Sequence, residues 1–237
     1  MPDLTGRYVC YCMTRNIYHK IIPSLKSLIK NANPARVYIV AEDDDVGFPL
    51  PKQVQVMNWS KQTFFHPDGP NYHNDWTYMA LMRTALCHMF PPDMHRILSL
   101  DLDTIVNANI DELWEMPLDG YYAAGVKEPS KSDKTPYINA GVVMWNLAKL
   151  RDGTADRIIR ALNTEKYRFC EQDCLNEICA GKLKPINCTY NATRWTGLPG
   201  DPKIRHFAAE PGWYENEPLV RKYRDMAWED VTECFSG

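Results

Sequence analysis

Hydrophobic and polar residues along the first half of the chain follow two different periods. Compact apolar runs over Tyr8–Met13, Arg36–Ala41 and Ile97–Leu100 predict buried strands, and Gln53–Trp59 alternates as a half-buried strand does. After the first run, apolar side chains recur three and four positions apart over Tyr18–Ile29, which predicts an amphipathic helix. Strands that alternate with helices indicate an α/β sheet with helices on both of its faces.

The pattern then changes at one long aperiodic stretch. Residues 60–74 are polar and aromatic, so they predict a long loop, and ordered loops of this length tend to carry function. A helix is predicted over Asp75–Phe90, with Asp75 as its N-cap and Pro91 and Pro92 as its stop. Further helices are predicted over Ile110–Trp114, Leu147–Leu162, Gln172–Ala180 and the charged C-terminal segment, and further strands over Tyr121–Val126, Gly141–Trp145 and Lys203–Phe207.

Composition is that of an ordinary globular protein. The 237 residues are 45% hydrophobic and 24% charged, which is enough for one domain with a full core. A net charge of -3 gives no support for a nucleic-acid partner or for an anionic membrane surface. Because no stretch approaches about 18 consecutive apolar residues, we expect no membrane-spanning segment.

The start of the chain and its cysteines bear on the cellular compartment. The sequence MPDLTGRYVCYCMTRN lacks the basic start, apolar core and cleavage site of a signal peptide, so a cytoplasmic location is expected. The eight cysteines lie mostly inside predicted elements, which favours reduced core thiols. A zinc site at Cys170, Cys174, Cys179 and Cys188 is the alternative, although its spacing fits no closed zinc motif.

Three glycosylation sequons occur in the chain. They begin at Asn58, Asn187 and Asn191. They matter only if the chain enters a secretory pathway.

Two aspartates interrupt the apolar stretch 97-ILSLDLDTIV. If the backbone stays extended, Asp101 and Asp103 point to the same side, while Leu100 and Leu102 face the other. Two carboxylates this close repel each other unless a cation lies between them or one is protonated. A divalent cation with a phosphate-bearing substrate would satisfy them. The alternative is that both aspartates cap the turn and the helix that follow.

A series of motifs in the same order resembles the family 8 glycosyltransferases. The motifs are 14-TRNIYHKIIPSLKSLIKNA, 76-WTYMALMRTAL, LSLDLDTIV, 137-YINAGVVMWNL, 171-EQDCLNEI and 205-RHFAAEPGW. The resemblance implies the GT-A nucleotide-sugar-binding fold, with a mixed, mostly parallel sheet flanked by helices. It also implies a single domain over residues 1–237, with a donor-binding half at about 1–110 and an acceptor and catalytic half at about 111–237.

The resemblance implies a set of metal ligands. Asp101 and Asp103 match the family's D-x-D motif, and His206 matches its third protein ligand. Because imidazole suits manganese better than magnesium, Mn²⁺ is the expected ion, with Mg²⁺ as the alternative. Taken alone, His206 would be an ordinary strand or turn histidine.

Donor contacts are implied at the first helix and near the acidic motif. Thr14, Asn16 and Tyr18 match residues that hold uracil and ribose, although Thr14 or Asn16 would also suit a helix cap. Arg83 matches a residue that reaches the sugar or diphosphate, and its alternative is an exposed helical arginine. Leu102, between the two aspartates, belongs to the same set.

The sugar itself is expected between two further motifs. Asn139 matches a contact to the donor sugar, and the small residues Ala140 and Gly141 let the backbone approach it.

The catalytic residues are implied at 171–173. Gln172 would lie on the reactive face of the sugar, and Asp173 would bind its hydroxyls, with Glu171 beside them. The alternative is that these three residues only cap a helix.

One departure from the family concerns a lysine. The family pattern H-F-x-G-x-x-K-P-W carries a lysine that neutralises the leaving diphosphate, whereas His206–Trp213 is shorter and has Glu210 or Gly212 at that position. Lys203 and Arg205 lie close by in the sequence and are candidate substitutes.

Together these features predict a retaining, Mn²⁺-dependent enzyme that moves a hexose, glucose or galactose, from a UDP-sugar to an acceptor. Front-face attack supported by Gln172 is the leading mechanism, and a covalent route through Glu171 or Asp173 is the alternative. Competing functions are a nucleotide-sugar-binding protein that has lost transfer and a metal-dependent phosphohydrolase or nucleotidyltransferase. The acceptor, whether a glycan, a protein or a small molecule, and the oligomeric state are encoded in none of these motifs. The aromatic loop 59–76 is the predicted acceptor wall or lid.

Overall fold

Most of the strands form one sheet. In the computed structural model, which describes residues 6–129, 135–196 and 198–232, seven of them form this main sheet. They are β1 Tyr8–Cys12, β2 Arg36–Ala41, β3 Val54–Asn58, β4 Arg96–Leu100, β6 Ala123–Lys127, β7 Ile138–Asn146 and β8 Leu183–Ile186. A separate pair consists of β5 Thr104–Val106 and β9 Ile204–His206.

The main sheet is mixed and mostly parallel, as predicted. Its order is β3-β2-β1-β4-β7-β6-β8, and only β7 runs antiparallel to its neighbours β4 and β6. Strands β1, β2 and β4 are parallel, so their carboxyl ends open at the same edge. In sheets of this kind the ligand lies beyond that edge. The residues that follow these strands are Met13, Glu42 and Asp101.

Helices cover both faces of the sheet, which confirms the predicted layers. They are α1 Ile21–Ala32, α2 Tyr78–Leu81, α3 Leu86–Met89, α4 Asp111–Glu115, α5 Leu147–Leu150, α6 Thr154–Thr164, α7 Cys170–Ile178, α8 Trp213–Asn216, α9 Pro218–Arg224 and α10 Trp228–Thr232. Alternate strand residues serve the two cores: Val9 and Leu98 pack with α1, whereas Cys10 and Ile97 pack with α6 and α7. Within the described residues, no helix is both long and apolar enough to cross a membrane.

The predicted helix Tyr18–Ile29 is wrong at its start. Residues Arg15–Lys20 form a 3₁₀ helix, and the α-helix begins at Ile21. Pro23 then lies in the first turn, where its missing N–H has no intrahelical partner to lose.

The single helix predicted over Asp75–Phe90 is also wrong. It is divided into α2, a 3₁₀ segment Met82–Ala85, and α3, and Asp75 does not cap it, because the helix begins at Tyr78. The side chains of Arg83 and Thr84 donate to the carbonyls of Ala80 and Leu81, which competes with the regular helical bonds.

Other boundaries differ in smaller ways. The helix predicted over Leu147–Leu162 divides before Gly153, whose φ of 96° lies in the left-handed region. Strands β5 and β8 were not predicted, since three or four residues give too little periodicity. Residues 233–237 of the predicted C-terminal helix lie outside the described residues.

Candidate metal and donor site

Two aspartates and a histidine converge where β4 ends. Asp101 and Asp103 lie in the turn between β4 and β5, and His206 ends β9, where it pairs with Thr104. Nε2 of His206 is 3.1 Å from Oδ1 of Asp103 and 3.7 Å from Oδ2 of Asp101. One potential ligand atom from each of the three residues lies within 4.8 Å of the others.

The backbone around the aspartates is a turn, so the expectation of an extended chain there is wrong. The hydroxyl of Thr104 donates to the Asp101 carbonyl at 2.7 Å. The Asp101 amide donates to the Gly141 carbonyl, and the Phe207 amide donates to the Asp103 carbonyl, each at 2.8 Å. These bonds tie the turn to β7 and β9, so both carboxylates still face His206. Leu102 is half-buried and packs against the α1-side core.

The charges of this group stabilise one another. Burial alone would raise the pKa of Asp103, but the charge and hydrogen bond of His206 lower it. Burial alone would lower the pKa of His206, but Asp103 and Asp101 raise it. Two carboxylate oxygens and one imidazole nitrogen suit a first-row divalent ion such as Mn²⁺. The alternative zinc site is not formed, since among the described residues only Asp101, Asp103 and His206 form such a group.

Arg83 lies directly behind the acidic turn. Its side chain is 6% exposed, so it is not the surface arginine of the alternative interpretation. The guanidinium contacts Asp101 at 2.5 Å, donates to the Ala140 carbonyl at 2.6 Å and lies 3.7 Å from Glu171. Burial would lower the pKa of Arg83, but the charges of Asp101 and Glu171 raise it above its ordinary value. Arg83 therefore stays charged and links the aspartate turn to β7 and α7.

The segment Asn139–Gly141 brings the backbone of β7 against the same site. A Cβ atom added to Gly141 would lie 2.2 Å from Cε1 of His206, so no larger residue fits beside the ring. The Gly141 amide donates to Oδ1 of Asn139 at 2.9 Å. The amide of Ala140 donates to Oε1 of Gln172 at 2.9 Å, which joins this segment to α7.

The three residues at the start of α7 have different surroundings. Glu171 is buried, which raises its pKa, although the charge of Arg83 opposes the rise. Oδ2 of Asp173 accepts the Phe169 amide at 2.8 Å, so the capping interpretation holds for Asp173. Its other oxygen accepts from the Tyr137 hydroxyl, which also accepts from Nε2 of Gln172.

The predicted nucleotide-binding residues lie at the same edge of the sheet. Thr14 makes no side-chain capping bond, and its hydroxyl instead donates to Oδ1 of the exposed Asn16 at 2.7 Å. Tyr18 is buried, and its hydroxyl donates to Asp43 and accepts from the Glu42 amide. Neither acidic residue was predicted as part of the site, because the acidic run 42-EDDD is typical of an ordinary surface loop.

The two cations suggested as lysine substitutes are both paired with glutamates. Nζ of Lys203 lies 2.8 Å from Glu112 and 3.1 Å from the Tyr190 hydroxyl. The guanidinium of Arg205 pairs with Glu210 at 2.6 Å. Glu210 therefore neutralises Arg205 where the family pattern has a lysine.

Asn191, Glu128 and Tyr137 also join the site, although none of them was predicted as a site residue. Oδ1 of Asn191 lies 2.7 Å from Nδ1 of His206, and Glu128 binds Asn139. Each is a common residue type at no fixed spacing from the acidic motif, so only the folded chain brings them together.

The sheet order and the acidic turn at the carboxyl ends of its parallel strands define the GT-A class of glycosyltransferase folds. The galactosyltransferase LgtC, solved with donor and acceptor sugar analogs, superposes with a TM-score of 0.70 over 94% of this chain and 98% of its own, at 16% identity. GlyE of Streptococcus pneumoniae gives a TM-score of 0.73 over 95% of this chain and 62% of its own, also at 16% identity.

Within that class, the sequence identifies the family. The profile of glycosyl transferase family 8 matches residues 7–198, and the chain belongs to this family. A Haemophilus influenzae protein whose name assigns it to the glycosyltransferases is 28% identical over 158 residues, which are 57% of this chain and 47% of that protein. Glycosyltransferase GlyB of Streptococcus pneumoniae is 26% identical over 126 residues, 52% of this chain and 30% of its own. The chain thus spans less than half the length of either relative.

Proposed function

We propose that the protein transfers a hexose, glucose or galactose, from a UDP-sugar to an acceptor with retention of configuration, and that it requires Mn²⁺, with Mg²⁺ as the alternative. The observation that carries this proposal is the convergence of Asp101, Asp103 and His206 at the carboxyl edge of the sheet. Membership of glycosyl transferase family 8 supports the same reaction class.

The acidic turn would hold the metal and the donor diphosphate. When bound, a divalent ion neutralises negative charge on a departing diphosphate. Asp101, Asp103 and His206 are the residues that would hold it. Arg83 keeps the Asp101 carboxylate in place and offsets its charge, which lets two aspartates and a diphosphate share one edge.

Nucleotide and sugar would lie on either side of this turn. The nucleotide would lie against Thr14 and Asn16, with Tyr18 fixed beneath them by Glu42 and Asp43. The hexose would lie against Asn139–Gly141, where the absence of a side chain at 141 brings backbone close to the ring of His206.

The geometry of α7 favours front-face attack over a covalent intermediate. Glu171 is buried beside Arg83, and both oxygens of Asp173 already accept hydrogen bonds. These contacts lower the nucleophilicity of both carboxylates, whereas the Gln172 amide can support positive charge developing on the sugar. Mass spectrometry of the enzyme quenched during turnover is expected to show no glycosyl adduct. An adduct on Glu171 or Asp173 would support the covalent route.

A test of the proposed function follows UDP release. A panel of UDP-sugars is offered with Mn²⁺, and one donor is expected to give metal-dependent UDP release that Asp103→Asn abolishes. The matched control is Asp111→Asn, since Asp111 is also a half-buried aspartate but pairs with Arg7. Products cleaved at phosphorus rather than at the anomeric carbon would instead indicate a phosphohydrolase.

The pairing of Lys203 and Arg205 favours a second candidate, a nucleotide-sugar-binding protein without transfer. Because Glu112 and Glu210 neutralise them, neither is available to a leaving diphosphate. This candidate predicts that UDP-sugars bind with Mn²⁺ by calorimetry while no UDP is released with any acceptor.

We further propose that the acceptor is a sugar that lies against Trp76. This indole is 50% exposed, and its ring centroid is 6.1 Å from that of Phe169, whose amide binds Asp173. Exposed aromatic faces suit sugar rings. Trp76→Ala is expected to lower kcat/KM for the acceptor about tenfold, consistent with a loss of about 1.4 kcal/mol, and to leave donor hydrolysis unchanged. The control Trp195→Ala removes a similarly exposed tryptophan; an equal loss there would contradict a specific role for Trp76.

A further inference from the structure

A chain of side-chain hydrogen bonds runs from His206 through two asparagines to Glu128, which directly follows β6. Nδ1 of His206 lies 2.7 Å from Oδ1 of Asn191, and Nδ2 of Asn191 donates to Oδ1 of Asn139 at 2.7 Å. Nδ2 of Asn139 donates in turn to Oε1 of Glu128 at 2.7 Å. We call these four residues, His206, Asn191, Asn139 and Glu128, the amide relay.

Two hydrogen bonds fix which way the side-chain amides of the relay point. The backbone amide of Gly141 donates to Oδ1 of Asn139, and a backbone N–H can act only as a donor. At the other end, Oε1 of Glu128 accepts from Nδ2 of Asn139. Both anchors require Asn139 to present its oxygen to Asn191 and its nitrogen to Glu128. Asn191 must then turn its nitrogen toward Asn139 and its oxygen toward His206.

This direction determines which ring nitrogen of His206 carries the proton. Since Oδ1 of Asn191 is an acceptor, Nδ1 of His206 must be the donor. Nε2 is then the ring nitrogen left to bind a metal ion, and it faces Asp103 and Asp101. Without metal, the N–H group at Nε2 is the donor in the 3.1 Å contact with Asp103. The opposite tautomer would direct an N–H group at the position where a metal ion would lie.

The surroundings of His206 keep the ring in this orientation. Its side chain is 3% exposed and that of Asn191 is 1% exposed, so water does not replace the bond between them. Gly141 lies against Cε1 and Nδ1 of the ring, so rotating the ring requires moving β7.

We propose that Asn191 is a positioning residue that holds His206 in its Nδ1–H tautomer and thereby presents Nε2 as a metal ligand. The proposal rests on the metal-binding role of His206 in the proposed function. Asn191 itself contacts neither the metal position nor the aspartates. Glu128 and Asn139 act through Asn191 by setting its direction.

The first test reads the tautomer in metal-free protein that lacks the competing carboxylates. Long-range ¹H–¹⁵N correlation spectra of histidine-labelled Asp101→Ala/Asp103→Ala protein, recorded at a pH where the ring is neutral, are expected to show the Nδ1–H form of His206, because Oδ1 of Asn191 still accepts from the ring. The Nε2–H form, or an equal mixture, would overturn the proposal. This experiment uses no bound metal, so its outcome is independent of whether the protein binds Mn²⁺ or transfers sugar.

The second test compares variants at Asn191. Asn191→Leu removes the acceptor and is expected to give mixed tautomers in the Asp101→Ala/Asp103→Ala background. With both aspartates present, it is expected to lower the Mn²⁺ affinity by about 10–100-fold. Asn191→Asp keeps an acceptor and is expected to retain the Nδ1–H form. The matched control is Asn71→Leu, because Asn71 is equally buried but binds Leu162, Glu165 and Tyr167 instead.

The two proposals fail in different ways. Wild-type Mn²⁺ affinity in a folded Asn191→Leu protein would overturn the positioning role. If that variant does not fold, the tautomers of the Asp101→Ala/Asp103→Ala protein with and without Asn191→Asp decide. An Nδ1–H tautomer there, together with no Mn²⁺ affinity in the wild-type protein, would contradict the proposed metal function while leaving the relay's effect on the ring intact.

Discussion

The space between Gly141 and His206 admits no side chain. A methyl group at position 141 would lie 2.2 Å from one ring atom of His206 and 2.7 Å from another. The ring is also held by Asn191 and Asp103, so it cannot turn away without losing a hydrogen bond.

Gly141→Ala is therefore expected to displace His206. We expect Mn²⁺ affinity to fall at least about tenfold and overpacking to cost about 1–3 kcal/mol of the free energy of unfolding. Calorimetric Mn²⁺ titration and urea denaturation measure the two effects. Gly200→Ala is the control, because a Cβ there meets nothing within 4 Å. Unchanged Mn²⁺ affinity in Gly141→Ala would show that the ring has more freedom than the structure indicates.

Because Asp103 pairs with His206, we expect the stability of the metal-free protein and its affinity for Mn²⁺ to change in opposite directions with pH. The raised pKa of His206 means that its stabilisation is fully present below its ordinary value of about 6.5 and is lost as pH rises through the raised value. The lowered pKa of Asp103 means that its stabilisation is lost only as pH falls through that lowered value. Mn²⁺ binding needs a neutral imidazole, so metal affinity increases over the range where this stabilisation disappears.

Denaturation in EDTA and Mn²⁺ titration over the same pH series measure both responses. His206→Asn is expected to flatten both curves above about pH 6, since it removes the titrating ring. A stability curve that rises with pH through the histidine range in EDTA would contradict the paired arrangement.

At the scale of elements, the division between α2 and α3 places Arg83 behind the acidic turn. A continuous helix was predicted because a candidate N-cap, Asp75, and a proline stop bound this stretch. Such signals mark the ends of a helix, but they do not report competition from side chains such as those of Arg83 and Thr84 for backbone carbonyls.

Removal of Arg83 is expected to show how strongly the buried Glu171 and the half-buried Asp101 depend on its charge. Arg83→Met should lower the free energy of unfolding by about 3–5 kcal/mol, because Asp101 and Glu171 lose their cation. Adding Glu171→Gln should restore part of that loss, since one buried charge is removed. Urea denaturation in EDTA measures this double-mutant cycle. Additive losses would show that Arg83 and Glu171 do not interact.

Local sequence patterns predicted some elements of the fold, whereas contacts between distant segments could not be predicted from them. Strands β1, β2 and β4 were predicted because each is a buried apolar run bounded by polar residues, and the order of motifs identified the family. Strand β9 pairs with β5, which was too short to predict, so the convergence of His206 with Asp103 followed only from the resemblance and not from periodicity. Asn191 belongs to no periodic element, and its role depends entirely on contacts between distant segments.

At the scale of the whole molecule, the candidate metal site joins distant parts of the chain. His206 lies more than one hundred residues after Asp103. The segment that follows it packs on α1: Nζ of Lys26 donates to the Arg224 carbonyl at 3.0 Å, and Asn31 donates to the Tyr223 hydroxyl at 2.8 Å. Metal binding should therefore stabilise the whole fold and not only the acidic turn.

Mn²⁺ is expected to raise the melting temperature of the protein. At a concentration of about 100 times its Kd, it should add about 2.7 kcal/mol, which corresponds to about 5–10 °C for a chain of this size. Differential scanning calorimetry with Mn²⁺ and with EDTA measures the shift. His206→Ala should abolish it, and Asp111→Asn should retain it. A shift that survives in His206→Ala would place the ion elsewhere.

The burial of Asn191 has a consequence for producing the protein. Asn191 begins a sequon, and its carboxamide nitrogen is the atom to which an oligosaccharide would be attached. That nitrogen donates to Asn139 inside the amide relay and has no room for a glycan. In a secretory host, chains modified at Asn191 before folding could not complete this site, whereas Asn58 and Asn187 are exposed and tolerate the modification. Expression in a bacterial host avoids this loss of correctly folded protein.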